Sequence, residues 1–567
     1  MNPGTFHTGR TGPAAVSSPD SLWRSAVAAC VAGDLPEGER LLRRYLAQKP
    51  ASADGWFNLG KVLRDRGNQE AAVAAYRTAA KLAPRDPLVL YNLGNVLLDL
   101  RRFTEAVAVY RQAGMVDPHL PGLNNNLGRA LEERGDVGGA LFAYGCAVSD
   151  APYHAAAHMN RGHLLLQLDR PGEAEESYRH AVAAAPAEAG THYNLAGALL
   201  ALDRYEEADH EFAEALRLRP AFPEALVNRG IGFLLTERTT EAISVLRTAI
   251  DLRPDFAEAH LNLAVALLQR GGYGEGWQEY EWRFRTADGK NPRRYTEIPE
   301  WQGEPLIGKT LLIYQEQGMG DILQCVRFVS ALVRMGARVL IDCQPGLRRL
   351  LRALPDAGIC VDPQAASTGV DLVCPVFSLP RILGITPSSI PAQVPYLNVD
   401  AEIAARWQRI TGARGGELRV GLAWAGNPAH SNNRRRCVPE ALLTDMLSVP
   451  GVEFHSLHTS PPGEHDAALL RHHGAEVGDL GEVAGLMSTL DLIISIDTSF
   501  AHLAGGLGLP VWLLLNFGGD WRWMQQRTDS PWYPSMRIFR QQHPGDWPGV
   551  MARVTDALCR MAGGERA

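Results

Sequence analysis

Seven prolines recur at one fixed interval of 34 residues: Pro50, Pro84, Pro118, Pro152, Pro186, Pro220 and Pro254. Other positions keep the same beat. Gly60, Gly94, Gly128, Gly162 and Gly230 are in phase, with Ala196 and Ala264 in the two open slots. Ala72, Ala106, Ala140, Ala174, Ala208 and Ala242 form a second series, and Tyr76, Tyr110, Tyr144, Tyr178, Phe212, Leu246 and Tyr280 a third. A strict period of this length is the mark of a stacked repeat, so the first half of the chain reads as a solenoid. Such arrays present a long surface to something else.

Each unit reads as two helices, A and B. The small residue of the Gly60 series lets A approach B, the aromatic of the Tyr76 series fills the gap between neighbours, and proline ends helix B. This pattern resembles the tetratricopeptide repeat, over about residues 19–288. A further series, Asn58, Asn92, Asn126, Asn160, Asn194, Asn228 and Asn262, lies on helix A, two residues before the small position. The resemblance implies that helix A lines a concave groove. Amides carry both donor and acceptor, so a stack of them could bind an extended peptide with little demand on its sequence. The repeats of O-linked N-acetylglucosamine transferase carry a similar ladder. The plainer alternative is that Asn fixes local structure at this repeat position.

The apolar fraction of 46% allows both halves to bury a core, and the net charge of −7 argues against a nucleic-acid partner. Eight scattered cysteines form no CxxC pair, which fits free thiols in a reducing compartment and neither a disulfide framework nor a zinc site. Residues 1–18 read as a disordered tail and not a signal peptide. No apolar run is long enough to span a membrane. The expected location is cytoplasmic.

After residue 288, a linker over 289–308 leads to short apolar runs alternating with helical stretches. Strands are expected at 309–314, 338–343, 358–362 and 371–376, then at 418–426, 452–457, 491–497 and 510–515. The alternation implies parallel sheets with helices on both faces. It divides into a lobe over 309–400 and a lobe over 401–567, with ligands expected beyond the carboxyl ends of the strands. The aromatics Trp277, Tyr280, Trp282 and Phe284 could weld the solenoid to this region or simply seal its end.

Three strand-end segments carry chemistry. In QEQGMGDILQ (315–324), Gly318 and Gly320 permit a tight turn and close backbone approach, and Asp321 begins a helix, where it could be no more than an N-cap. In IDTSFAHLAGGLGLP (496–510), Asp497, Thr498, Ser499 and His502 stand at a helix start, a place suited to phosphate; capping by Asp497 or Thr498 and a buried His is the alternative. In AWAGNPAHSNNRRRC (423–437), Asn427, Ser431, Asn432 and Arg434, Arg435 and Arg436 could clamp an anion or form a solvated basic loop.

Together these segments resemble glycosyltransferase family 9, the heptosyltransferase-like enzymes of the GT-B fold, over about residues 305–560. The carriers are Met319-Gly320-Asp321, and Asp497-Thr498 with His502-Leu503. The resemblance implies two Rossmann-like lobes, Asp321 as the base that activates an acceptor hydroxyl, and a nucleotide-sugar donor. Gly318, Gly320, Asn427, Arg434, Arg436, Asp497, Thr498, Ser499 and His502 would meet the donor. Arginines stand where the family uses a lysine near the phosphates. The expected activity is inverting and metal-independent, with no cofactor and an acceptor, possibly a protein, recruited by the repeats. Two other readings stay open: a tetratricopeptide adaptor with a non-catalytic second domain, and a protein O-N-acetylglucosaminyltransferase, whose catalytic-domain patterns are absent. Trp521, Trp523, Trp532 and Tyr533 could stack on a ligand or close the lobe interface.

Overall fold

The structure, a computed structural model, describes residues 18–287, 289, 292–354, 359–361, 369–428, 432–461 and 468–564. The tail over 1–17 and Ser431 lie outside the described residues. The chain divides into two compact units, Met1–Leu218 and Arg219–Ala567.

The first unit is helical throughout its described residues, from Pro19–Val31 to Tyr205–Leu218 in alternating A and B helices. Each repeat proline sits two residues past the end of a B helix: Leu35–Gln48 precedes Pro50 and Gln69–Leu82 precedes Pro84. The glycine and aromatic series prove to be two halves of one contact. A Cβ on Gly60 would lie 2.9 Å from the Tyr76 ring, on Gly94 2.4 Å from Tyr110, on Gly128 2.6 Å from Tyr144, and on Gly162 2.7 Å from Tyr178. The aromatic therefore lies over the glycine of its own repeat. It also reaches the next repeat, as Tyr110 does toward Asn126 and Tyr178 toward Tyr193, so the expected place between neighbours is met together with the contact to its own glycine. The ring needs the missing Cβ to lie flat between helices A and B.

Gly94→Ala is accordingly expected to lower the stability of the helical region. Overpacking against a buried ring costs about 1–3 kcal/mol, against roughly 1 kcal/mol regained from helix propensity. Gly145 is helical too, with nothing within 4 Å of an added Cβ. Gly145→Ala should therefore raise the melting temperature. Equal shifts in the two variants would show that the glycine–tyrosine contact does not decide the packing.

The second unit begins with two more helix pairs, Pro223–Leu235 with Thr239–Leu252, and Ala257–Gln269 with Tyr273–Tyr280. The α/β region follows. Its strands are β1 (Thr310–Tyr314), β2 (Arg338–Asp342), β3 (Ile359–Val361), β4 (Leu372–Pro375), β5 (Leu418–Ala423), β6 (Val452–Ser456), β7 (Leu470–Arg471), β8 (Leu492–Ile496), β9 (Val511–Leu515) and β10 (Met536–Arg540). They form two sheets, ordered β3-β2-β1-β4 and β10-β9-β8-β5-β6-β7, and the pairings within both are parallel. Counted from its own first strand, the second sheet runs 3-2-1-4-5-6, the doubly wound order, and the first sheet runs 3-2-1-4. In such sheets the strand order reverses between the first and fourth strands, which opens a crevice at their carboxyl ends. Those crevices lie beyond β1 and β4 in the first sheet and beyond β5 and β8 in the second.

The last two helix pairs are built into this unit. Trp277 packs edge-on against Trp521 at 5.1 Å between ring centroids, and Tyr280 against Phe377 at 5.7 Å. Trp282 instead stacks on His260 of its own helical array at 3.9 Å. Both readings of the 273–284 aromatics are therefore realised, by different rings. Among the described residues, no helix is long and apolar enough to cross a membrane.

Candidate functional site

β1 ends at Tyr314, and the chain turns through Gln315–Gly318 into the helix Met319–Cys325. Gly318 is the N-cap and Asp321 the third helical residue, so the reading of Asp321 as N-cap is corrected. Its own main-chain N–H donates to the Gly318 carbonyl at 3.3 Å, as expected in a first helical turn. Neither glycine has a positive φ, so the tight-turn argument for them fails. Gly320 is required by proximity: a Cβ there would lie 2.8 Å from His502 Cδ2. The two motifs that sequence places in separate lobes touch at this point.

In the second lobe β8 ends at Ile496, and the helix Ser499–Gly506 follows. Thr498 is its N-cap but makes no side-chain capping bond, so the first-turn N–H groups have no side-chain partner there. Thr498, Ser499 and Asp497 line a cleft of about 680 Å³ at the β5/β8 crevice. Asn427, Asn432 and Arg436, from the segment after β5, line it too. Arg436 Nη1 donates to the Asp497 carbonyl at 3.1 Å. Arg434 is exposed and is not part of the lining, so the expected arginine clamp narrows to Arg436.

The first lobe contributes Gln317, Gly318, Met319, Gly320, Asp321 and Gln344 to the same cleft. Asp321 is held by a residue that the sequence reading missed. Arg522 Nη2 donates to Asp321 Oδ1 at 2.7 Å, Nη1 to Asp520 Oδ1 at 2.7 Å, and Nε to Gln324 Oε1 at 2.8 Å. Arg522 thus ties the first lobe to the segment after β9. Burial works against its charge, but the carboxylates of Asp520 and Asp321 outweigh that and hold it protonated. Asp321 is pushed up to about 6, because burial outweighs the attraction of Arg522. Asp497 is also raised, by burial and then by the Asp520 carboxylate.

His502 is 4% exposed, hydrogen-bonds through Nδ1 to Tyr533 Oη at 2.8 Å, and stacks on Trp523. Burial holds it well below the ordinary imidazole range. It is buried and lines the cleft as a neutral ring, so both sequence readings of His502 are compatible with its place. Gly505 is needed for the same cluster, since a Cβ there would lie 2.4 Å from Tyr533. Trp521 lines the cleft and also packs on Phe377, so most of these aromatics close the lobe interface.

A third wall of the cleft comes from the repeats. Ile231, Leu234 and Leu235 of the helix Pro223–Leu235 line it, with Asn262, Val265 and Gln269 of the helix Ala257–Gln269. Asn262 is therefore the one member of the asparagine series in the cleft lining. Asn228 is half-buried on the preceding A helix.

The first unit shows what the other amides do. Asn58 and Asn92 donate to the carbonyls of Asp54 and Leu88, each four residues back and at 2.9 Å. Asn126 donates to Tyr91 Oη at 3.0 Å and Asn95 Oδ1 at 2.9 Å, and Asn160 to Asn125 Oδ1 at 2.9 Å. Asn194 is half-buried on Ala189–Ala201. Much of the donor capacity of the series is thus spent locally, and the series remains half-exposed.

A second missed pair lies beneath the site. Arg283, fully buried, meets Glu316 with two parallel bonds of 2.8 Å, and also donates to Glu281 and Ser378. Its two ends join the last repeat to the turn that carries Asp321. Among the described residues, no group of three or more His, Cys, Asp or Glu could hold a metal ion.

Comparison with known proteins identifies the repeats. A family model described as TPR repeat matches residues 60–100 and 233–271, and models described as tetratricopeptide repeat match 91–147, 125–189 and 189–222. Protein FlbA of Caulobacter vibrioides is 29% identical over 324 residues, which cover 52% of this chain and 54% of FlbA. The chain thus spans about half the length of that curated relative. Similar solved structures include YrrB, a TPR protein with an unusual peptide-binding site (21% identical, 33% of this chain and 96% of that one, TM-score 0.31). PilF of Pseudomonas aeruginosa is another (21%, 38% and 96%, TM-score 0.33). The helical array is a tetratricopeptide solenoid, and such repeats point to a protein or peptide partner.

Proposed function

We propose that the chain is an inverting, metal-independent glycosyltransferase that moves a sugar from a nucleotide-sugar donor to a hydroxyl of a protein recruited by the repeats, with the α/β region as its GT-B catalytic part. The observation that carries this reading is the convergence of three walls on one cleft. One bears a carboxylate near neutral pKa, one an uncapped helix N-terminus beside Arg436, and one the repeat helices. Asp321 takes the proton as the acceptor oxygen attacks the anomeric carbon. The bond from that carbon to the phosphate oxygen breaks, and the electron pair leaves on the nucleoside diphosphate. Arg436 and the first N–H groups of Ser499–Gly506 offset the charge that develops there. One observation favours a second reading, an adaptor that binds without transferring: Asp321 already accepts from Arg522.

A thermal-shift screen of the full chain against a panel of nucleotide sugars and their nucleoside diphosphates tests the donor reading. One base is expected to stabilise the protein saturably, by about 2.7 kcal/mol at a hundredfold excess over Kd. Arg436→Ala should weaken that binding about tenfold or more, because a charge-assisted bond is lost, and the wild-type affinity should fall with salt. No shift with any nucleotide overturns the donor reading. A shift without release of nucleoside diphosphate favours the adaptor.

A further inference from the structure

Resting on that reading, we infer that the repeat wall of the cleft is an acceptor subsite that selects an extended polypeptide with an apolar residue beside the reacting hydroxyl. The wall is apolar where it faces the chemistry: Ile231, Leu234, Leu235 and Val265 line the same cleft as Asp321. Its two polar members, Asn262 and Gln269, are uncharged amides. Gln269 is 4% exposed, and its Nε2 donates to the Gly519 carbonyl at 2.9 Å, which pins the helix to the segment after β9. Asn262 Nδ2 donates to the Glu258 carbonyl at 2.8 Å. That bond clamps the amide to its own helix and leaves Oδ1 as an acceptor for a main-chain N–H in the cleft.

The occupant follows from the wall's chemistry and from what it continues. A sugar or glycan acceptor would ask for several hydroxyl partners, and this wall offers four aliphatic side chains. An acidic segment gains little there, since the carboxylates of Asp321, Asp497 and Asp520 share the cleft with Arg436 and Arg522, and Arg522 is already paired to Asp321 and Asp520. A polypeptide partner is what tetratricopeptide repeats engage, and Asn262 continues onto this wall the amide series of the A helices. Gly518 holds the geometry in place. Its φ is +64°, and an added Cβ would lie 2.5 Å from the Leu235 carbonyl oxygen, so the segment after β9 seats directly on the subsite helix.

The test uses the full chain and two fluorescent serine peptides, one with valines flanking the serine and one with aspartates, titrated by anisotropy with nucleoside diphosphate present. The valine peptide is expected to bind at least tenfold more tightly. Ile231→Ser with Val265→Ser should remove most of that preference while the far-UV circular dichroism spectrum and a cooperative melt persist, which reports that the variant is folded. Asn262→Ala should weaken both peptides without changing their ratio. Equal binding of the two peptides, or a preference that survives Ile231→Ser with Val265→Ser, overturns the subsite. Because peptide binding is read directly, these outcomes stand whether or not any nucleotide binds, so failure of the donor reading is seen separately.

Discussion

Asp321→Asn is expected to lose about 10²–10⁴-fold in turnover, the usual contribution of a general base, with the fold intact. Its pH profile should be as informative as its rate. A base works when deprotonated, so wild-type kcat/KM should fall as pH drops through about 6, the value to which burial raises Asp321. The residual rate of Asp321→Asn should lack that limb. Stability moves the other way. A folded-state pKa above the unfolded value means that the folded protein binds more protons between the two, so this carboxylate's contribution declines as pH rises from about 4 to about 6. At neutral pH an ionised Asp321 is a buried charge, and Arg522 keeps Asp520 and Gln324 when Asp321 is neutralised. The melting temperature of Asp321→Asn at pH 7.5 should therefore equal or exceed that of the wild type. Normal turnover in Asp321→Asn would remove it from the chemistry. A lowered melting temperature with proportionate loss of rate would make it a structural residue only.

Arg283→Ala should produce the largest loss of stability in the second unit. The guanidinium donates to both oxygens of Glu316, which is 1% exposed on its side chain. Removing it leaves an uncompensated charge in the core, a change that costs about 3–5 kcal/mol. Arg283→Met with Glu316→Gln should recover much of that, since the charge leaves together with its partner. Calorimetry of the full chain would separate the two cases. Similar losses in the single and double variants would show that packing around Arg283, and not its charge, holds the junction. The double variant also bears on the site, because Glu316 lies five residues before Asp321 in the turn that Arg283 anchors.

Elements with local signals were legible in the sequence. The expected strands at 309–314, 338–343, 452–457 and 491–497 lie within a residue of β1, β2, β6 and β8 at each end. β10 was missed because Arg537 and Arg540 interrupt its apolar run, and β7 because two residues carry no period. The strand-end rule pointed to Asp321 and Asp497 for the same reason: an apolar run ends there and the chain turns from strand to helix. Arg522 carries no local signal, because its meaning is a pairing with a residue 201 positions away. Arg283 and Glu316 escaped likewise, since charge that is buried looks no different in sequence from charge in water. The tyrosine series was legible, but its contact with the glycine of its own repeat was not, because a 34-residue period cannot say which positions within one repeat touch.

The division at Leu218 and Arg219 separates two kinds of repeat that share one sequence signature. Within the first unit each helix packs on its sequence neighbours, so stability there is close to a sum over repeats and their shared faces. The last two are under a second contract. Leu235, Gln269, Trp277 and Arg283 each answer to a residue of the α/β region, and a duplication or exchange there would have to reproduce the register of all four at once. One end of such an array is free to vary repeat by repeat, and the other is tied in register to the α/β region.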